Sequence, residues 1–233
     1  MKKRVLLLLL AAAMLLMLTA CRRGEPQPAQ TEDTTVPAAT HPPVTVTEPA
    51  TPGPMLGSFD PESGVYTNGF LGLRCTLNAS WEVYDAARIG ELVGLTADSV
   101  SDEAIGEVVR ENGSAILFYA QTAGGLATVN ISVEDLGILY GSVLSEADYA
   151  ERVSLLTAQG LESMGMTEVS AKIASVEFAG AAHTAVTITG SYASAALYEC
   201  LVCVRQGNYM IVVTVLSTFE DSTGELLAMF SSL

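Results

Sequence analysis

Eight of the chain's nine prolines fall between Arg22 and Pro54, a stretch of 33 residues that also holds seven threonines and hardly any large apolar side chain. A segment of that composition buries too little apolar surface to offset the entropy of ordering it. No core can be built there, so whatever folds must lie downstream. The stretch reads as a disordered spacer with much polyproline-II character, reaching at most ~100 Å at about 3.1 Å per residue. It contains no P-x-x-P docking motif with a flanking arginine, and its His41 reads as solvated. What remains, Leu56 to Leu233, is 178 residues. That is enough for one globular domain, since a chain of about 150 residues buries roughly 70% of its unfolded surface.

The other side of the spacer is equally distinctive. Lys2, Lys3 and Arg4 precede 16 uncharged residues from Val5 to Ala20. A spanning helix needs about 20 apolar residues, so the run fits the h-region of an export signal better. The residues that end it, Leu18-Thr19-Ala20-Cys21, resemble the bacterial lipobox. That resemblance implies a signal peptide over 1–20, cleavage before Cys21, and a Cys21 that carries a diacylglyceryl group and a further acyl chain such as palmitate. Residues 21–55 are then the lipidated cysteine and its linker. Each buried methylene contributes ~0.8 kcal/mol, and two or more chains anchor stably where one does not. The alternative is a short signal anchor, or an ordinary secretory signal with a chance cysteine. Arg22 is not the Asp that retains some lipoproteins at an inner membrane. The expected location is the extracytoplasmic face of the cell membrane.

Between Leu56 and Leu233 there are 22 Asp and Glu against 6 Lys and Arg, a formal charge of −16. Such a field repels phosphate backbones and anionic headgroups. Nucleic acid is excluded as a partner, and the membrane is met only through the lipid on Cys21. An unknown protein partner or small ligand is left open; a basic partner or cationic ligand would be steered favourably, although the charge also serves plain solubility.

Within 56–233 the periodicity predicts strands over Gly64 to Asn68 and Leu71 to Leu77, joined at Asn68-Gly69, with Trp81 plugging one end of a core. Helices are expected over Asp85 to Val93 and Asp102 to Asn112, the second capped by Asp98, Ser99 or Ser101 and stopped at Gly113. Ser114 to Thr122 and Leu126 to Glu134 flank Ala123-Gly124-Gly125 as a hairpin; Val129, Ile131 and Val133 face one way, Thr128, Asn130 and Ser132 the other. Ser145 opens the longest helix, about Glu146 to Met164, with Tyr149, Val153, Leu156 and Leu161 near one stripe. Gly160 inside it costs about 1 kcal/mol relative to Ala. Strands follow over Val169 to Phe178, His183 to Thr189, Ala195 to Gln206 and Tyr209 to Ser217. Tyr209 to Leu216 is apolar on both faces, the mark of a strand covered on both sides. Ser222-Thr-Gly-Glu225 reads as a capping box opening a final short helix whose Leu226, Leu227 and Phe230 dock on the sheet.

This order of elements, with Tyr66-Thr-Asn-Gly-Phe-Leu71-Gly72-Leu73 followed by Trp81, resembles small lipoprotein domains of PsbP-like fold. The similarity runs on through Ser145-Glu-Ala-Asp-Tyr149, Gly207-Asn-Tyr209 and the closing helix. Cys75 and Asn78 stand where such sequences often carry an aromatic residue and a proline. The resemblance implies an α+β fold, an antiparallel sheet flanked by helices in an α/β/α sandwich. It implies accessory or binding roles with no catalytic group and no cofactor.

Candidate chemistry is sparse. Besides Cys21 there are Cys75, Cys200 and Cys203. Cys200-Leu-Val-Cys203 has redox spacing, but it lies in a β-favouring run where residues i and i+3 face opposite sides, about 10 Å apart at ~3.3 Å per residue. A disulfide needs less than about 7 Å. Buried free thiols are expected first, a bridge from Cys75 to Cys200 or Cys203 second, redox or metal chemistry last. His183 stands without a Ser/His/Asp arrangement and, with three scattered thiols, makes no zinc site. Asp102, Glu103, Glu107 and Glu111 form an acidic helix face that Arg110 relieves, without the loop that calcium prefers. Gly124-Gly125 lacks the Lys-Ser/Thr and helix of a phosphate cradle. Asn78-Ala-Ser80 is a glycosylation sequon by letter only. The expectation is a membrane-anchored, non-catalytic binding or accessory module, not an enzyme. A solute-receptor lipoprotein is the alternative, and an envelope enzyme using His183 or a thiol ranks last.

Overall fold

The structure is a computed structural model that describes residues 53–93, 102–141 and 143–233. The signal and almost all of the spacer, including Cys21 and His41, lie outside the described residues. So do the proposed caps Asp98, Ser99 and Ser101.

Eleven strands form two antiparallel sheets among the described residues. The larger sheet has the order β4-β5-β6-β10-β9-β8-β7. It is built from β4 (Trp81–Val83), β5 (Ser114–Thr122), β6 (Ala127–Asp135), β7 (Thr167–Phe178), β8 (Ala181–Tyr192), β9 (Ala195–Gln206) and β10 (Tyr209–Thr218). The smaller has the order β1-β2-β3-β11, from β1 (Ser58–Asp60), β2 (Val65–Asn68), β3 (Leu73–Thr76) and β11 (Phe230–Ser232). The helices are α1 (Ala86–Val93), α2 (Asp102–Asn112), α3 (Gly137–Tyr140), α4 (Glu146–Ser163) and α5 (Thr223–Leu227). The result is the α+β arrangement expected, a sheet flanked by helices. Among the described residues no helix is long and apolar enough to cross a membrane.

Strand alternation divides the core between the two faces of the larger sheet. Val129, Ile131 and Val133 of β6, Ile211, Val213 and Val215 of β10, and Cys200 and Val202 of β9 pack on one face with Tyr66, Leu73 and Cys75 of the smaller sheet. Tyr66 stacks on Phe118 at 4.0 Å and Phe230 lies 5.5 Å from Phe178, so aromatic rings lock the sheets together. On the other face Val186, Ile188, Leu201, Met210, Val212 and Leu216 pack beneath Tyr149, Ala150 and Leu161 of α4. The central strand β10 is therefore buried along almost its whole length, because it is covered on both sides.

Local signals account for most boundaries. Ser145 accepts from the Asp148 amide at 3.1 Å while the Asp148 carboxylate reaches back to the Ser145 amide, a reciprocal cap for α4. Gly113 ends α2 with φ +81°, a conformation glycine adopts without strain. Gly64 is held at φ +70°, where a Cβ would collide with the Leu77 carbonyl. Its own carbonyl accepts from the Leu77 amide at 2.8 Å.

Several expectations are corrected. Asn68-Gly69 does not make a two-residue hairpin: four residues, Gly69 to Gly72, separate β2 from β3, and the Asn68 side chain accepts from the Leu71 amide at 3.1 Å instead. Ser222 makes no side-chain cap to α5, whose start is held by Asp221 accepting from the Thr223 amide. Phe230 lies in a strand rather than in the last helix. On α4, Leu156 is 41% exposed; the buried stripe is Tyr149, Ala150, Thr157, Gly160 and Leu161. Gly160 thus sits against the sheet, and the helix runs through it to Ser163. Trp81 is half-buried in edge strand β4, paired with Thr122.

Candidate functional site

A cleft of about 160 Å³ is lined by residues from both sheets, Leu71, Leu73, His183, Val204, Gln206 and Ser232 among them. Its walls are mostly apolar, and its polar groups are few. Three elements fix His183 there. It follows from β8 alternation that His183 shares the face of Ala185, opposite Val186 and Ile188. Its ring lies edge-on to Phe178, 6.3 Å between centroids at 72°. Its Nδ1 is 3.0 Å from Oε1 of Glu146, the first residue of α4.

Glu146 does more than orient the histidine. Its carboxylate also accepts from the backbone amides of Thr184 at 3.1 Å and Arg205 at 3.0 Å. Thr184 is the last β8 residue paired with β9 at this end, so the carboxylate completes the ladder where the strands part. Arg205 in turn donates through Nη1 to the Leu144 carbonyl at 2.8 Å and through Nη2 to the Gly141 carbonyl. Together these bonds pin the start of α4 to the sheet end and hold one wall of the cleft. The Tyr149 hydroxyl, donating to Glu134 at 2.7 Å, ties the same helix to β6.

A second set of polar groups lies inside the sheet. The registers place Gln121, Thr128, Leu216, Glu199 and Ile188 in one row across β5, β6, β10, β9 and β8. The row lies on the face that packs under α4, because Ile188 and Leu216 belong to that cluster. Asn130 and Thr214 pair in the next row. Glu199 is 3% exposed, Thr128 0% and Gln121 7%, yet Glu199 Oε2, Thr128 Oγ1 and Gln121 Oε1 have no hydrogen-bond partner among the described residues. Burial raises the Glu199 carboxyl from an ordinary 4.5 to about 7. At the β5 end, Gln121 Nε2 donates to Glu82 at 3.3 Å, and Glu82 pairs with Arg88 at 2.6 Å. Arg88, hydrogen bonded to it, holds the Glu82 carboxyl below the usual range.

The thiols lie in the core. Cys75, Cys200 and Cys203 are free and buried, and desolvation pushes them up to about 12, 11 and 12. All three being free, the bridge held open for Cys75 is not formed, although Cys75 and Cys200 share one core face; Cys203 belongs to the opposite face, so the C-x-x-C spacing makes no pair. On α2, Arg110 approaches Glu107 at 3.7 Å with both side chains about 70% exposed, and Glu111 is exposed. This is a solvated acidic face; the side chains of Asp102 and Glu103 lie outside the described set. Gly124 and Gly125 form only a tight 3₁₀ turn between β5 and β6. Among the described residues no group of three His, Cys, Asp or Glu side chains could hold a metal ion. In the sequence Glu146 is marked only as the first residue of the longest helix. Glu199 carries a signal of its own, the one carboxylate in the strand β9.

No family model matches the chain, and no curated protein matches its sequence. Among solved structures it is similar to LpqN, described as involved in cell envelope biogenesis of Mycobacterium tuberculosis. The TM-score is 0.32 at 10% identity, over 68% of this chain and 82% of that one.

Proposed function

We propose that the chain is a membrane-anchored extracytoplasmic lipoprotein whose domain acts as a non-catalytic binding or accessory module. The anchor rests on Leu18-Thr19-Ala20-Cys21 behind an h-region too short to span. The observation that carries the binding reading is the cleft. It is apolar apart from a few polar groups, the general character of ligand sites, and the groups that line it are held by structural bonds. His183 spends Nδ1 on Glu146, which is itself committed to two backbone amides. Ser232 shares the cleft, and a Ser-His-Glu relay would need a hydrogen bond between Ser232 and His183; none joins them among the described residues. Activated thiols have lowered pKa values, and those described here are raised.

The experiment is replacement of Cys21 by Ser in a cell that processes lipoproteins. The expected outcome is loss of fatty-acid labelling and release from the membrane fraction. Retention of a processed, unlabelled form in that fraction removes the anchor from the account. A solute receptor remains the second reading, favoured by the buried polar row rather than by the cleft.

A further inference from the structure

The row Gln121–Thr128–Leu216–Glu199 contains every buried side-chain atom without a hydrogen-bond partner among the described residues. Scattered orphans are incidental, but three in one cross-strand line are not. Strands lie about 4.8 Å apart, so Thr128 and Glu199 stand about 10 Å from each other across Leu216, with Gln121 one strand beyond Thr128. A buried polar atom left without a partner costs ~1–3 kcal/mol, a cost that a bound water, ion or ligand at the row would remove.

The chemistry of the three atoms defines that occupant. An amide carbonyl accepts, a hydroxyl does both, and a carboxyl that ionises against a cation accepts through both oxygens, so an occupant that brings donors, one of them charged, satisfies all three. Glu199 also lacks a counter-charge. Only burial perturbs its carboxyl, and the cation at the opposite end of the row, Arg88, is paired with Glu82. The two ends differ accordingly: a neutral amide and hydroxyl at one, an uncompensated carboxyl at the other, and the apolar Leu216 between them. The Tyr84–Tyr119 ring pair flanks the row at the β5 edge, since Tyr119 pairs with Asn130 on this face, and α4 flanks it at the β8 and β9 side.

We propose that this row is a binding site for a small aliphatic amine bearing a second hydrogen-bond donor, such as an amino alcohol, a diamine or an amino sugar. The ammonium group sits at Glu199, the aliphatic part over Leu216, and the second donor at Thr128 and Gln121. The −16 charge of residues 56–233 steers a cationic ligand inward. The inference rests on the solute-receptor reading and not on the anchor.

The test is isothermal titration calorimetry on the full chain in detergent, using ethanolamine, 1,4-diaminobutane and glucosamine, with ethylene glycol and glucose as uncharged counterparts. Saturable binding of at least one amine is expected, weakened tenfold or more in Glu199→Gln and in Thr128→Val, with no binding of the uncharged set. Absence of amine binding assigns the row to structural water and overturns the proposal. Equal binding by Glu199→Gln, or equal binding of glucose, overturns it as well. Should Glu199→Gln fail to fold, Thr128→Val and Gln121→Leu carry the same comparison. Because the measurement is made on purified protein, its failure leaves the Cys21 labelling result untouched.

Discussion

Glu199→Gln should change the pH dependence of stability more than any other single substitution. In the unfolded chain the carboxyl ionises at its ordinary 4.5; in the folded protein burial raises this to about 7. Below pH 4.5 the group is neutral in both states and has no effect. Between 4.5 and 7 the unfolded state has lost the proton that the folded state retains, so unfolding releases a proton and stability falls as pH rises. Above 7 the penalty is complete. At 1.36 kcal/mol per pKa unit it amounts to about 3 kcal/mol. The neighbours facing Glu199 from β8 and β10 are Ile188 and Leu216, which do not titrate. Cys200, next in the chain, is raised to about 11 and stays neutral throughout. Glutamine keeps the shape and removes the ionisation. Urea unfolding of both proteins at pH 4.5, 6, 7 and 8, without amines, should show curves that nearly coincide at pH 4.5. By pH 8 the glutamine variant should be more stable by about 3 kcal/mol, or roughly 6–12 °C in Tm for a domain of this size. A difference that does not vary with pH, or a variant weaker than the parent at pH 8, would refute the reasoning.

Other substitutions probe the rest of the account. Glu146→Ala strips the acceptor from two backbone amides and His183 and should destabilise by about 2–4 kcal/mol; urea unfolding that shows less than about 1 kcal/mol would dismiss the clamp. The native protein should be silent to a thiol-reactive disulfide reagent, because Cys75, Cys200 and Cys203 are buried with raised pKa values. After denaturation the mature chain should titrate three thiols, and a fourth would mean that Cys21 is unmodified. A fluorophosphonate probe should leave the chain unlabelled, whereas labelling lost in Ser232→Ala would revive a hydrolase at the cleft.

Legibility in the sequence followed the length and pattern of each element. The boundaries of β5 and β9 were readable to the residue, and β10 was recognised by apolar residues on both faces, because long strands repeat their pattern. Strands β1, β4 and β11 carry no readable pattern. They are three residues each, too short for alternation to appear, and they exist because a longer neighbour offers an open edge. Spacing alone puts Leu156 on the buried stripe, whereas α4 turns Thr157 and Gly160 to the sheet, small residues that allow close approach. Ser145 and Ser222 both matched the letters of a cap, and only Ser145 caps, since the backbone at Ser222 (φ −115°, ψ 17°) is not extended. Strand alternation sets the face of His183, but its partner Glu146 is 37 residues away, beyond any local pattern. The polar row was invisible for the same reason: its members come from four strands, and only the registers align them.

The central claim concerns Cys21, and the most direct measurement is the intact mass of the N-terminal peptide of the mature, membrane-extracted protein. The account predicts a chain that begins at Cys21 and carries a diacylglyceryl thioether. A chain that begins at Met1, or at any residue other than Cys21 and without lipid, would contradict it.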